Sequence, residues 1–295
     1  MASLKEVKTR IASVNSTRKI TSAMKMVASS KLHRAQQNIE SMRPYEKQLD
    51  KMMTTFVDSL EGNVSSPYAL KRDVRRAAII VYTSNSSLCG AFNGNVIKML
   101  RKTYEEYRQA GIEVVRIYAI GKKGLEAVRK MNSEIVLDHS SLIDHPGYEP
   151  AAKIAAELMN LYVKGEIDHV EMLYHHFKST ASQILTRETL LPVSLETKED
   201  TGNPGNNGQG FTYDYIVEPS REELVELLIP KALYLKVYTT LLDSLASEHA
   251  ARVIAMQVAT DNADELLREL TLTYNKTRQQ AITAELLDLV GGQMQ

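Results

Sequence analysis

The sequence predicts an α/β domain carried on a long antiparallel two-helix coiled coil, and three observations lead there. Apolar residues recur in steps of three and four from the start of the chain to about residue 62, and again from 220 to 292. Between these stretches the period changes, and short β-branched runs alternate with helical ones. At ~1.5 Å per residue each terminal helix would run to roughly 90–100 Å, far beyond a single globular core. Two such stripes at opposite ends of one chain are buried most simply against each other.

The first helix, 1–62, opens with Ser3 and Glu6 at the S-x-x-E spacing of a capping box. Leu4, Val7, Ile11 and Val14 start its stripe, which lapses over Asn15–Arg18 and resumes at Ile20, Met24, Val27, Leu32, Ala35, Ile39 and Met42. Leu49, Met52, Phe56 and Leu60 carry it to Gly62-Asn63, and Pro44 is expected to kink it. The last helix, 220–292, begins with a second capping box, Ser220 and Glu223, and Leu224 and Leu227 open its stripe. Pro230 is placed to bend it, after which Leu235, Tyr238, Leu242, Leu245, Val253, Met256, Thr260, Ala263, Leu267, Leu270 and Tyr274 follow in threes and fours.

The middle, 74–219, reads as strands over 77–84, 114–120 and 134–139, with helices over 93–110, 122–131 and 150–163. Two further strands, 169–177 and 183–193, form a hairpin pattern. Alternating strands and helices imply a compact domain with a largely parallel sheet. The stretch 196–210, ETKEDTGNPGNNGQG, is polar, Gly-rich and expected to be a mobile loop.

Composition narrows the function. Lys plus Arg equals Asp plus Glu at 36 each, so no overall charge points to nucleic acid or a membrane surface. The single cysteine, Cys89, excludes an internal disulfide and fits a reducing compartment. No apolar run approaches the ~20 residues of a membrane span. The N-terminal MASLKEVKTRIASV has no apolar signal core and runs straight into the helical pattern, so it reads as mature, cytoplasmic protein.

No constellation of catalytic groups stands out. Gly121-Lys122-Lys123-Gly124 follows a strand but fits neither common phosphate-loop spacing, so it reads as a strand-to-helix turn. His175 and His176 are adjacent on a strand, face opposite ways and cannot share a metal. Cys89 reads as a small buried side chain. No catalytic residue, metal or cofactor is expected. From the residues alone, two other classes stay open: a nucleotide-binding α/β enzyme with helical extensions, and a coiled-coil scaffold.

Longer motifs lie at both ends. Ile20-Thr21-Ser22-Ala23-Met24-Lys25-Met26-Val27-Ala28 resembles the N-terminal signature of the gamma subunit of F-type ATP synthases. Glu248-His249-Ala250-Ala251-Arg252, Ala259-Thr260-Asp261-Asn262-Ala263 and Tyr274-Asn275-Lys276-Thr277-Arg278-Gln279 resemble its C-terminal signature. Leu88-Cys89-Gly90-Ala91-Phe92-Asn93 is similar to a family stretch usually preceded by Asp, a basic residue and Gly, where this chain has Asn85-Ser86-Ser87. The resemblance implies a Rossmann-like domain between the coiled-coil helices. It also implies the work of a central rotor shaft standing in a ring of three α and three β subunits. Its foot would rest on the membrane proteolipid ring with the ε subunit alongside, on the cytoplasmic face of a bacterial inner membrane.

The resemblance also assigns residues. Arg278 and Gln279 are expected to grip a loop of a β subunit, and Arg252 to contact β as well. Met24 and Lys25 are expected near the base of a β subunit, with Met24 in the seam and Lys25 turned outward. Tyr215 and Glu218, in YDYIVEP, are expected to meet the proteolipid ring. The small side chains of Ala250-Ala251 and Ala281–Ala284 would give a smooth sliding surface.

Overall fold

The computed structural model describes residues 3–59, 66–131, 134–193 and 220–292. Helix α1 spans Leu4–Ser59 and runs through Pro44. Its capping box forms reciprocally: the Ser3 amide donates to Glu6 Oε2 (2.9 Å) and the Glu6 amide to Ser3 Oγ (3.3 Å). The central elements are β1 Arg76–Tyr82, α2 Phe92–Gln109, β2 Glu113–Ile120, α3 Lys122–Arg129, β3 Val136–Asp138, α4 Ser141–Asp144, α5 Tyr148–Val163, β4 His169–Ser179 and β5 Ser182–Leu191. The short α4 has no counterpart in the sequence reading. Helix α6, Arg221–Gly292, continues through Pro230, and the Glu223 amide donates to Ser220 Oγ (3.2 Å) at its start. Residues 60–65 and 194–219, which include the 196–210 loop, Tyr215 and Glu218, lie outside the described residues.

The five strands form one sheet in the order β3-β2-β1-β4-β5. β1 pairs in parallel with β2 and β4, and β2 with β3, while β5 closes the sheet as an antiparallel hairpin with β4. The period-two alternation of β1 splits its side chains between two cores. Ala77, Ile79 and Val81 pack with Val96 and Leu100 of α2 and Val128 of α3. Ala78, Ile80 and Tyr82 join Ile154 and Leu158 of α5 and Val237 and Leu241 of α6. α6 thus belongs to the domain core as well as to the coiled coil.

α1 and α6 pair antiparallel within the chain, as the ion pair Arg18–Asp264 (3.0 Å) and the hydroxyl contact Thr21–Thr260 (2.8 Å) show. A parallel homodimer scaffold would need the seam that this pairing already covers. The α6 stripe falls as the spacing predicts: Leu235, Leu242, Leu245, Met256, Ala263 and Leu270 are buried. The α1 stripe holds at Val7, Ile11, Val14, Leu32, Ala35, Ile39, Met42 and Leu49 but departs between residues 18 and 28. Ile20 and Val27, expected in the seam, are 57% and 59% exposed, whereas Thr21, Ala28, Leu32 and Ala35 are buried. The seam runs through Val7, Ile11, Val14, Arg18, Thr21, Lys25, Ala28, Leu32, Ala35, Ile39, Met42, Glu46 and Leu49, all buried or half-buried. That is an unbroken alternation of fours and threes. The apparent lapse at residues 15–18 comes from polar residues occupying seam positions, which a search for apolar side chains steps over.

Candidate functional site

In doubly wound sheets the strand order reverses at a point where ligands enter, outside the carboxyl ends of the strands. Here the reversal lies between β1 and β4, and α6 passes over it. Tyr82 Oη donates to the Val237 carbonyl (3.1 Å) and Ser247 Oγ to the His175 carbonyl (3.0 Å). His175 is 3% exposed and stacks on Phe92, with ring centroids 4.5 Å apart. Burial pushes its pKa down to about 4, so it sits neutral in this packing. His176 turns outward to Asp243 (2.6 Å), whose carboxyl burial raises even with the imidazole beside it. The two histidines therefore take opposite faces, as their adjacency on a strand requires.

The turn into α3 is equally occupied. The amide of Lys122 donates to Asn85 Oδ1 (3.0 Å), that of Lys123 to the Ser84 carbonyl (3.1 Å) and that of Gly124 to Thr83 Oγ1 (2.8 Å). A Cβ on Gly121, at φ 115°, would stand 2.2 Å from the Thr83 carbonyl oxygen. Amides that cradle a phosphate in nucleotide-binding sheets are here spent on the end of β1. The crevice seats a helix, and the geometry argues against a nucleotide enzyme.

Two assigned contact residues are engaged inside the chain. Lys25 occupies the seam and donates to Gln257 Oε1 (2.5 Å), while Gln257 in turn donates to Asp261 Oδ1 (2.7 Å). The expected places of Met24 and Lys25 are thus exchanged, because the seam is one residue out of step with its apolar reading. Met24 is half-buried on a flank with Ile20 and Val27. Arg252 is 9% exposed, and its guanidinium donates to Glu248, to Ser86 Oγ and to the Ser87 carbonyl. It faces its own domain instead of solvent. Ala250 is likewise buried, against Leu32, Ala35 and Ala246, and offers no sliding surface.

Arg278 and Gln279 are both exposed, beside half-buried Tyr274 and Thr277. Because Arg18 pairs with Asp264, the start of α1 at Leu4 falls opposite about residue 278, and α6 runs on for roughly 20 Å with no other helix or strand of the described residues beside it. Ala281 and Ala284 lie in this overhang and not in the seam, and Ile282, Leu286, Leu287 and Leu289 are exposed along it. Such a row on a helix end is a surface prepared for a partner.

The ATP synthase family model matches residues 3–294. The ATP synthase gamma chain of Bacteroides thetaiotaomicron is 56% identical over 299 residues, covering 100% of both chains. The chain belongs to the ATP synthase gamma chain family. The gamma chain of Phocaeicola vulgatus is 54% identical, again over 100% of each chain. In fold, the chain is similar to one in the rotor of Euglena gracilis mitochondrial ATP synthase, with a TM-score of 0.63 and 20% identity over 95% of this chain and 98% of that one. A gamma chain is a non-catalytic subunit of the synthase and serves as its rotor shaft. It is a peripheral subunit of a membrane-bound complex, and among the described residues no helix is long and apolar enough to cross a membrane.

The sequence reading missed Glu248 and Asn93, although both lie inside its quoted motifs. It also missed Asp264 and Gln257. Counting heptads from Val7 with polar residues admitted would have found the seam positions Arg18 and Lys25 that these last two partner, and Thr21 between them.

Proposed function

We propose that this gamma chain transmits rotation through the free end of α6, which stands inside a ring of α and β subunits and is gripped there by one β subunit at a time. The observation that carries the reading is the overhang, where a terminal helix with no partner among the described residues displays Arg278, Gln279 and a row of leucines. Terminal helices fray unless something ties them down. Arg278 supplies a planar fork of donors suited to carboxylates, and Gln279 an amide that both donates and accepts.

The mechanism needs no catalytic group on the shaft. Three equivalent catalytic sites in a symmetric ring differ only if something within the ring is not symmetric. A two-helix shaft continued by a single helix is such an object. Contacts made to one β subunit and not to its neighbours bias that subunit's conformational equilibrium by their differential energy, and reciprocity makes the coupling reversible. Lower on the shaft, Met24 with exposed Ile20 and Val27 forms an apolar strip suited to the base of a β subunit. At the foot, Tyr215 and Glu218 meet the proteolipid ring with the ε subunit alongside. The bacterial relatives support a setting on the cytoplasmic face of an inner membrane.

The test is Arg278→Ala with Gln279→Ala. Hydrogen bonds to charged groups contribute roughly 1.5–3 kcal/mol each, so losing both removes ~3–6 kcal/mol from one rotational state. Far-UV circular dichroism and melting of the isolated chain stay at parental values, while ATP synthesis and hydrolysis by the assembled complex fall more than tenfold. Parental turnover in an assembled double variant would mean that the grip lies elsewhere. Charge reversal at Glu218 is expected to weaken docking to the ring and to spare hydrolysis by the detached head.

A further inference from the structure

The loop between β1 and α2 is cross-braced on two sides. Inside it, the Ser84 amide donates to Asn93 Oδ1 (3.0 Å), and Asn93 Nδ2 donates to Ser84 Oγ (2.7 Å) and toward Cys89 Sγ (3.1 Å). Asn85 ties it sideways through Nδ2 to Asp144 Oδ2 (2.8 Å) and to the Ser140 carbonyl (3.0 Å). Its tip holds Leu88 in the left-handed region at φ 67°, with the side chain 59% exposed. A non-glycine residue in that conformation persists only where its surroundings impose it.

The imposing group comes from the shaft. Arg252 Nε donates to Glu248 Oε1 (3.1 Å), Nη2 donates to the same oxygen and to Ser86 Oγ (2.9 Å), and Nη1 donates to the Ser87 carbonyl. Glu248 is 5% exposed and one turn away on the same helix; its other oxygen lies 3.2 Å from the His249 ring. Gly90 faces Ala255, where an added Cβ would meet the alanine Cβ at 4.0 Å. The rest of the seat on α6 combines apolar packing, which is non-directional, with the Tyr82–Val237, Ser247–His175 and His176–Asp243 contacts described above, and these hold strand ends and not the loop. A buried guanidinium fork fixed by a carboxylate is directional.

We propose that Arg252, oriented by Glu248, is a positioning residue that locks the Asn85–Gly90 loop to the shaft. The sheet domain and the coiled coil then turn as one body, with Leu88 carried at a fixed angle about the rotor axis. The absence of the family's usual charges at Asn85-Ser86-Ser87 fits this role: a hydroxyl and a carbonyl suffice to receive the fork.

Cys89, the chain's single cysteine, belongs to this loop with its side chain turned inward at 1% exposure, and it reports on the lock. The rate of its reaction with a maleimide is measured on the full chain under native conditions. Arg252→Ala is expected to react more than tenfold faster than the parental chain. Arg252→Lys, which keeps the charge beside Glu248 and loses the fork, falls between them, and Ser86→Ala accelerates labelling severalfold. Leu241→Ala, destabilised in the domain core and away from the loop, controls for global unfolding. In the assembled complex, Arg252→Ala lowers the protons pumped per ATP hydrolysed, and Arg252→Lys restores part of that ratio. Labelling of Arg252→Ala no faster than that of Leu241→Ala would overturn the lock. Accelerated labelling with an unchanged pumping ratio would overturn its part in coupling and leave the grip at Arg278 and Gln279 untouched.

Discussion

The two halves of α6 have the same backbone and opposite surroundings. From Leu228 to Met256 the helix is embedded on several sides by α1, α5 and the sheet, and even Ser244, Ser247 and Glu248 are buried. Beyond Leu270 none of its described side chains is buried, although leucines are still frequent there. Leucine content therefore does not tell a core from a contact surface; what matters is whether another element of the same chain reaches it. Between the halves lies a third regime, the polar seam of Arg18, Thr21 and Lys25 against Asp264, Thr260 and Gln257. There the helices are held by matched polar groups, and such positions fix register at some expense of stability.

The widest separation between the halves is expected from truncation. Leu241→Ala removes a side chain that is 0% exposed in the main core and should cost about 3 kcal/mol, measured by urea unfolding of the isolated chain. Acid probes the same half through His175. Its folded pKa lies below the unfolded value, so the unfolded state binds the proton first and stability falls as pH drops from about 6.5 toward 4. Between pH 7.5 and 4 the loss amounts to about 3 kcal/mol, read as the difference between the parental chain and His175→Phe.

The polar seam responds more weakly. Thr21→Val alone should cost about 1 kcal/mol, because the Thr260 hydroxyl loses its cross-helix neighbour. Thr21→Val with Thr260→Val should return to parental stability or slightly above it, and a double-mutant cycle measures the difference. Leu286→Ala should change the isolated chain by no more than ~0.5 kcal/mol while lowering turnover of the assembled complex. A Leu286→Ala variant that destabilises the isolated chain as Leu241→Ala does would erase the distinction between the halves.

Much of the architecture was legible because periodicity is a local property. The strands, the hairpin and the buried stripe of α6 follow from spacing alone, as do the opposite faces of His175 and His176. The α1 seam was misread between residues 18 and 28 because an apolar search takes Ile20 and Val27 as seam and passes over Arg18 and Lys25. Only the partner helix shows that Asp264 and Gln257 are there to meet them. The hold of Arg252 on its own domain was hidden for a related reason: Glu248 is one turn away, but Ser86 and Ser87 lie some 165 residues away in the loop after β1. No spacing rule links an arginine on one helix to a carbonyl in a distant turn.

The chain order of the coiled coil also governs how the molecule is made. Arg18 and Asp264 are 246 positions apart, so α1 leaves the ribosome long before the helix that covers it. At roughly 5–20 residues per second the wait is on the order of 10–50 s. Throughout that interval Val7, Ile11, Val14, Leu32 and Leu49 face solvent, while the sheet between them can already close on α2, α3 and α5. The nascent chain therefore carries a sheet whose α6-facing side is still open and an uncovered helix at its leading end, and the last part of the sequence to be synthesised completes both.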